Sequence, residues 1–156
     1  MPKAKTKETK EITQEISPED YKRILMGLEI LRIDVDDFSG KVVDRAELFA
    51  RAENRTVNLT ETTRFETGEA GEVVIWHGYN IVVLQDDTEA SPELFTLSVE
   101  FRVQYESELP FTVPFFEKFR EMSLHLQTAP FARAWIHDHC LRMGVPPLIL
   151  PLIRTS

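Results

Sequence analysis

Residues 72–85 read EVVIWHGYNIVVLQ, and residues 94–105 read LFTLSVEFRVQY. In the second stretch Phe95, Leu97, Val99, Phe101, Val103 and Tyr105 alternate with Thr96, Ser98, Glu100, Arg102 and Gln104. A period of two is the pleat of a β-strand with one wet face. The first stretch is apolar on both parities. Val73, Ile75, Tyr79, Ile81 and Val83 form one face; Val74, Trp76, Val82 and Leu84 form the other. A strand apolar on both faces is expected to be covered on both. The polar segment from Asp86 to Pro92 joins the two stretches, so they are expected to pair as an antiparallel hairpin.

Towards the N-terminus, Thr67 to Gly71 reads as a turn and the Thr-rich run from Thr56 to Phe65 as a strand with one wet face. Leu31, Ile33 and Val35 alternate with Arg32, Asp34 and Asp36. This spacing predicts a further strand from about Ile30, closed by a turn at Ser39-Gly40. Val42 to Arg55 fits either strand or loop. Ser17, Pro18 and Asp20 make a helix start ahead of Tyr21, Ile24, Leu25 and Leu28, which share one helical face. Residues 1–16 are polar and without period. They read as a disordered tail before a single domain over 17–156.

Towards the C-terminus the period becomes helical. Pro114 suits a first turn, and Phe115, Phe116, Phe119, Met122, Ser123 and Leu126 form one stripe. Pro130 is expected to end that helix and open a second. Phe131, Ala132, Trp135, Ile136, His139, Cys140 and Met143 lie on one side of the second helix. Gly144 is placed to end it, and Val145 to Leu148, with two prolines, runs extended. Strands followed by helices give an α+β class: a four-stranded antiparallel sheet with two C-terminal helices.

The chain has 156 residues, of which 42% are hydrophobic and 28% charged, as in one soluble domain. A net charge of -8 repels phosphate backbones, so nucleic acid is not an expected partner. Cys140 is the one cysteine, and no apolar stretch follows Lys3, Lys5, Lys7 and Lys10 as in a secretory signal. A cytoplasmic home without membrane insertion is the expectation.

Two helices cover one face of the sheet. The other apolar face, at Trp76, is left for self-association, unless the first helix or the region from Val42 to Arg55 covers it. Trp76, Tyr79, Val82 and Leu84 are the candidates for a polypeptide-binding or subunit interface. Phe115, Phe119, Phe131 and Trp135 are read as core.

Ala129-Pro130-Phe131-Ala132-Arg133, then a helix, then Gly144-Val145-Pro146-Pro147-Leu148-Ile149-Leu150-Pro151, resembles the C-terminal signature of the SecB family. The order of strands over Ile24 to Ile153 is also similar. The resemblance implies a SecB-like α+β fold, assembled as a dimer of dimers. It implies a non-catalytic chaperone that holds unfolded polypeptides in apolar grooves and passes them to the SecA motor. A SecB-like branch instead guards the antitoxin of a toxin–antitoxin pair, and the helix before the first strand is closer to that branch. Within the signature Pro130, Phe131, Ala132, Gly144, Pro146, Pro147 and Leu148 are expected to be structural. Arg133 is expected to cap or pair near a helix start. Usual members continue past the Pro-rich strip with an Asn-Phe segment and an acidic tail. Here Leu152-Ile153-Arg154 stands in that place and the chain ends at Ser156, which puts a tail-mediated SecA contact in doubt.

An enzyme reading needs convergent groups. His137, Asp138, His139 and Cys140, with His125 nearby in sequence, are the tempting set. Positions 137 and 139 differ by about 200° on a helix, so they do not converge. His137 and Cys140 share a face, but their spacing is not that of a zinc site. His139 reads as a core histidine and Cys140 as a buried thiol. The acidic pairs Asp36-Asp37 and Asp86-Asp87 read as solvated turn carboxylates. No phosphate loop or nucleophile elbow occurs. No catalytic residue, metal or cofactor is expected, and a small metal- or Cys-dependent hydrolase is the disfavoured alternative.

Overall fold

The structure is a computed structural model that describes residues 15–50 and 55–148. The expected tail over 1–14 lies outside those residues, as does the end of the signature from Ile149 to Pro151. Ile16, read as part of the tail, packs against the core.

Helix α1 spans Pro18–Met26, and the Ser17 hydroxyl caps it by accepting the Asp20 amide at 3.2 Å. The chain then enters β1 (Leu28–Val42), the short helix α2 (Arg45–Ala50), β2 (Thr56–Thr67), β3 (Glu72–Leu84) and β4 (Glu93–Ser107). The four strands form one antiparallel sheet in the order β1-β4-β3-β2. The expected hairpin of β3 and β4 is its centre, with Ile75 opposite Val103 and Ile81 opposite Leu97. The odd-numbered residues of β3, and those of β4 from Phe95 on, are buried, as their alternation requires. Between β2 and β3, Ala70 and Gly71 turn the chain with φ of 56° and 80°.

Strand β1 corrects the simple alternation. Register shifts fall between Ile30 and Arg32 and between Val35 and Asp37. Each bulge inserts one residue, Leu31 and then Asp36, and so resets which parity faces the helices. Ile33, Val35 and Phe38 therefore stand opposite Val103, Phe101 and Val99. Ser39-Gly40 is not a turn. It continues the strand, opposite Ser98 and Leu97. Gly40 is there for close approach, since a Cβ on it would lie 2.9 Å from Cε of Met143. The ambiguous region beyond Val42 contains α2, which sends Leu48 into the core.

The helical path is continuous from Val113 to Arg142: α3 (Val113–Phe119), a π turn (Arg120–Leu124) and α4 (His125–Arg142). Pro130 does not divide it. It sits inside α4, where it withholds one amide from the carbonyl of Leu126, an exposed residue that water reaches. The division falls at the π turn, whose wider winding advances the helix phase. Met122 and Leu126 of the expected stripe thereby turn out to solvent, and Leu124, Thr128, Ala132, Ile136 and Cys140 turn in. Phe95, Phe115 and Phe119 are fully buried between helix and sheet. Each such ring contributes about 1.5–3 kcal/mol relative to an exposed one.

Candidate functional site

The helical layer covers one face of the sheet and leaves two surfaces that could hold another chain. The first lies where edge strand β1 meets α4. Phe38 is 56% exposed and Phe131 is 54% exposed. The Phe38 ring meets Trp135 edge-on at 5.5 Å and His139 at 5.4 Å. His139 stacks on Trp135 at 3.7 Å, and its Nδ1–H donates to the Trp135 carbonyl at 2.9 Å. Phe131 stands one turn before Trp135 on the same side of α4. Val35 continues the band along β1, and Ile30 and Leu31 extend the exposed apolar surface of that strand. An unpaired strand edge beside exposed apolar side chains is a template for another extended chain.

The second surface is the other face of β3, with Val74, Trp76, Val82 and Leu84, all half-buried. Trp76 is tethered there. Its Nε1–H donates to Asp36 at 3.2 Å, and the Arg64 guanidinium lies 3.9 Å from the ring centre. The four residues singled out from the sequence do not share one surface. Trp76, Val82 and Leu84 share the open face. Tyr79 has the opposite parity and is buried under α4, where its hydroxyl bonds Thr128 at 2.9 Å. Burial pushes the Tyr79 phenol up to about 12, against the pull of the Thr128 hydrogen bond.

The helix residues also part company with their reading as core. Phe115 and Phe119 are core, but Phe131 is exposed and Trp135 is half-buried against Phe38. The four-residue spacing of Ala132, Ile136 and Cys140 marks the inward line of α4, and Phe131 and Trp135 flank it. Phe38 was invisible to alternation because the bulge at Asp36 precedes it.

The tempting set of His137, His139 and Cys140 does not converge. His137 is exposed, His139 is engaged with Trp135, and Cys140 is fully buried. Burial pushes the Cys140 thiol up, with weaker opposing pulls from the Leu148 backbone and Arg55. Its burial and the net upward shift both predict an inert thiol. In the folded protein Cys140 is expected to react with a disulfide reagent at least roughly a hundredfold more slowly than in the urea-unfolded chain. Equal rates would contradict the burial.

A different group does come together: Glu61 on β2, His77 on β3 and His125 at the start of α4, with donor atoms all within 4.8 Å of one another. Burial raises the Glu61 carboxyl, and the two imidazoles lower it by more, so that it lies below its ordinary value. The readable signal for His77 was its odd parity, which places a titratable ring on the buried face of β3.

No protein-family model matches the sequence, and no curated protein matches it. Among solved structures, a SecB-like chaperone of Mycobacterium tuberculosis, in complex with a ChAD peptide from the HigA1 antitoxin, is similar. The likeness covers 83% of this chain and 93% of that one, with a TM-score of 0.70 and 16% identity. This chain has the SecB-like fold. A Streptococcus agalactiae protein of unknown function is similar over 80% of this chain and 97% of its own, at 12% identity and a TM-score of 0.38.

The SecB-like signature runs from Ala129 in the first half of α4 into the strip after the helix. Ala132 is fully buried and Pro130 is exposed, inside the helix. Arg133 is therefore an exposed mid-helix residue and does not stand at a helix start. Gly144 ends the helix with φ of 65°, and the Val145 amide donates back to the Cys140 carbonyl at 3.0 Å. Val145 and Leu148 are buried, while Pro146 is half-buried and Pro147 exposed. Two arginines fasten the strip: Arg45 donates to the carbonyls of Met143 and Gly144 at 3.0 and 3.1 Å, and Arg55 to that of Pro147 at 3.4 Å. No helix is long and apolar enough to cross a membrane among the described residues.

Proposed function

We propose that the protein is a SecB-like chaperone that holds unfolded or partly folded polypeptides. The observation that carries this reading is the exposed band of Phe38, Trp135 and Phe131 beside the unpaired edge of β1, on a SecB-like fold. An extended client can add backbone hydrogen bonds to the edge and place alternate side chains in the aromatic band. Aromatic contacts adapt to many sequences, which suits a holder of varied chains. A net charge of -8 keeps such a surface soluble. Nothing in this mode of action needs a catalytic group.

The open face with Trp76, Val82 and Leu84 is the proposed contact between copies, in a dimer of dimers acting in the cytoplasm. Tyr79 supports this architecture from beneath. Delivery to SecA for export is one destination for the client. Guarding an antitoxin is the second reading, and it is favoured by the peptide in the mycobacterial complex. The test is suppression of aggregation of several unrelated unfolded proteins at stoichiometric chaperone, alongside sedimentation. The expected result is suppression of most of them by a tetramer. Suppression of none, or a stable monomer, would overturn the respective half of the reading. Binding confined to one antitoxin segment would replace the broad reading with the narrow one.

A further inference from the structure

We propose that Glu61, His77 and His125 form a binding site for one divalent transition-metal ion of the zinc type. The site joins three elements. Glu61 and His77 come from β2 and β3, where Glu61 pairs with Tyr79 and Thr63 with His77. His125 is the first residue of α4, directly after the π turn. Single π turns recur at functional sites because they re-aim the residues that follow.

The Glu61 carboxylate sits between the two rings. Its Oε1 lies 3.8 Å from Nε2 of His77, and its Oε2 lies 3.3 Å from Nδ1 of His125. Neither nitrogen has a hydrogen-bond partner, although both atoms are buried. The His77 side chain is 0% exposed. Buried polar atoms are almost always satisfied, and both nitrogens are aimed at the Glu61 carboxylate without a hydrogen bond, an arrangement that a shared cation would complete.

The surroundings of His77 fix which nitrogen faces Glu61. The Thr128 hydroxyl has one proton, and it donates to the Leu124 carbonyl at 3.0 Å. Thr128 Oγ1 therefore accepts from its other neighbours, Nδ1 of His77 at 2.8 Å and the Tyr79 hydroxyl at 2.9 Å. Nδ1 of His77 is engaged by Thr128, and Nε2 is the nitrogen that faces Glu61. This is the arrangement that orients a metal-binding histidine: one ring nitrogen donates to a fixed acceptor and the other faces the ion.

The distances and donor types agree. Zinc holds nitrogen and oxygen donors at about 2.0–2.2 Å in a tetrahedron, so its ligand atoms stand about 3.3–3.5 Å apart. The two carboxylate–imidazole separations are already close to that, and small side-chain rotations close the rest. Two imidazoles with one carboxylate suit zinc and its neighbours in the first transition row, whereas magnesium and calcium prefer all-oxygen sites. Three protein ligands leave a fourth position for water. Glu61 and His125 are 28% and 23% exposed, which gives an ion a way in. A bound ion would tie the start of α4 to β2 and β3.

The test is calorimetric titration of the tag-free full chain, stripped with a chelator, with zinc chloride. One zinc per chain is expected, no binding of magnesium, and a thermal midpoint raised by about 5–10 °C at a hundredfold excess over Kd. Cobalt(II) in place of zinc should give the visible absorption of a tetrahedral site. Glu61→Gln and His125→Gln change partly exposed residues and are expected to fold. Each should weaken zinc binding at least about a hundredfold and abolish the cobalt spectrum. A His137→Gln/His139→Gln double variant should bind as the parent does. Absence of zinc binding at micromolar protein overturns the proposal. So does binding that survives both Glu61→Gln and His125→Gln, or binding lost in the double variant.

Discussion

Replacing Phe38 and Phe131 together with glutamate is expected to weaken binding of an unfolded client at least about a hundredfold. Buried aromatic anchors at an interface are each worth at least about 1.4 kcal/mol, a factor of ten, when removed. Phe38 meets the Trp135 ring from β1, and Phe131 stands one turn before Trp135 on α4. A client spanning the band loses both contacts and meets two carboxylates instead. The fold should tolerate the change, because both side chains are more than half exposed. The loss of the Phe38 contacts to Trp135 and His139 should cost about 1 kcal/mol. Leu126→Glu is the matched control. Leu126 is also exposed, but it stands about 180° from Trp135 around α4, and its replacement should leave client affinity unchanged. Fluorescence anisotropy with a labelled, permanently unfolded protein measures all three. Parent-like affinity in the folded double variant would remove the band from the client surface and turn attention to the open face at Trp76.

The second large effect concerns folding. Gly71→Ala is expected to destabilise the protein by about 3 kcal/mol or more, lowering the thermal midpoint by roughly 6–12 °C. Two costs coincide there. The φ of 80° belongs to the left-handed region, which costs a residue with a Cβ about 1–2 kcal/mol. The added Cβ would also lie 2.3 Å from the Ser107 carbonyl oxygen. That oxygen is backbone and cannot step aside without disturbing the end of β4. The Ser107 amide donates to the Gly71 carbonyl at 2.8 Å, so the two segments are already locked together. Gly68, three residues earlier, gives the contrast. A Cβ there meets Glu72 Oε2 at 2.8 Å, the far end of a flexible side chain that can swing away, and Glu72 Cβ at 3.2 Å, which must give by only a few tenths of an ångström. Gly68→Ala should therefore cost less than about 1 kcal/mol. Equal midpoints for the two variants would show that the clash at Ser107 is relieved by backbone movement.

These predictions draw on parts of the molecule that differed in legibility. The exposed aromatic band was not legible. Phe131 and Trp135 fall within the broad apolar side of their helix, and nothing local separates the inward line of Ala132, Ile136 and Cys140 from its flanks. Phe38 follows a bulge, and a bulge is a pairing event between β1 and β4 that leaves little mark on β1 alone. The turn at Thr67 to Gly71 was legible, because glycine there answers a local backbone demand. The contact that makes Gly71 irreplaceable, with Ser107, was not.

The sequence by itself determined the elements whose signals are local. Alternation from Leu94 to Tyr105 set β4 and its buried face, and the polar residues from Asp86 to Pro92 set the hairpin. Ser17 with Pro18 set the start of α1, and Gly144 ended α4. The spacing from Pro130 to Pro151 pointed to the SecB-like fold that the structure has. Tertiary structure decided what depends on partners far along the chain. It carried α4 through Pro130, because the helix packs as one piece on the sheet with Pro130 on its exposed side. It shifted the helix phase at Arg120–Leu124, exposing Met122 and Leu126. It buried the Tyr79 face under α4, left the Trp76 face open, and set Glu61, His77 and His125 around a common point. A periodicity records which way each side chain points from its own backbone. What meets it there is fixed only when β1, the sheet and the C-terminal helix pack together.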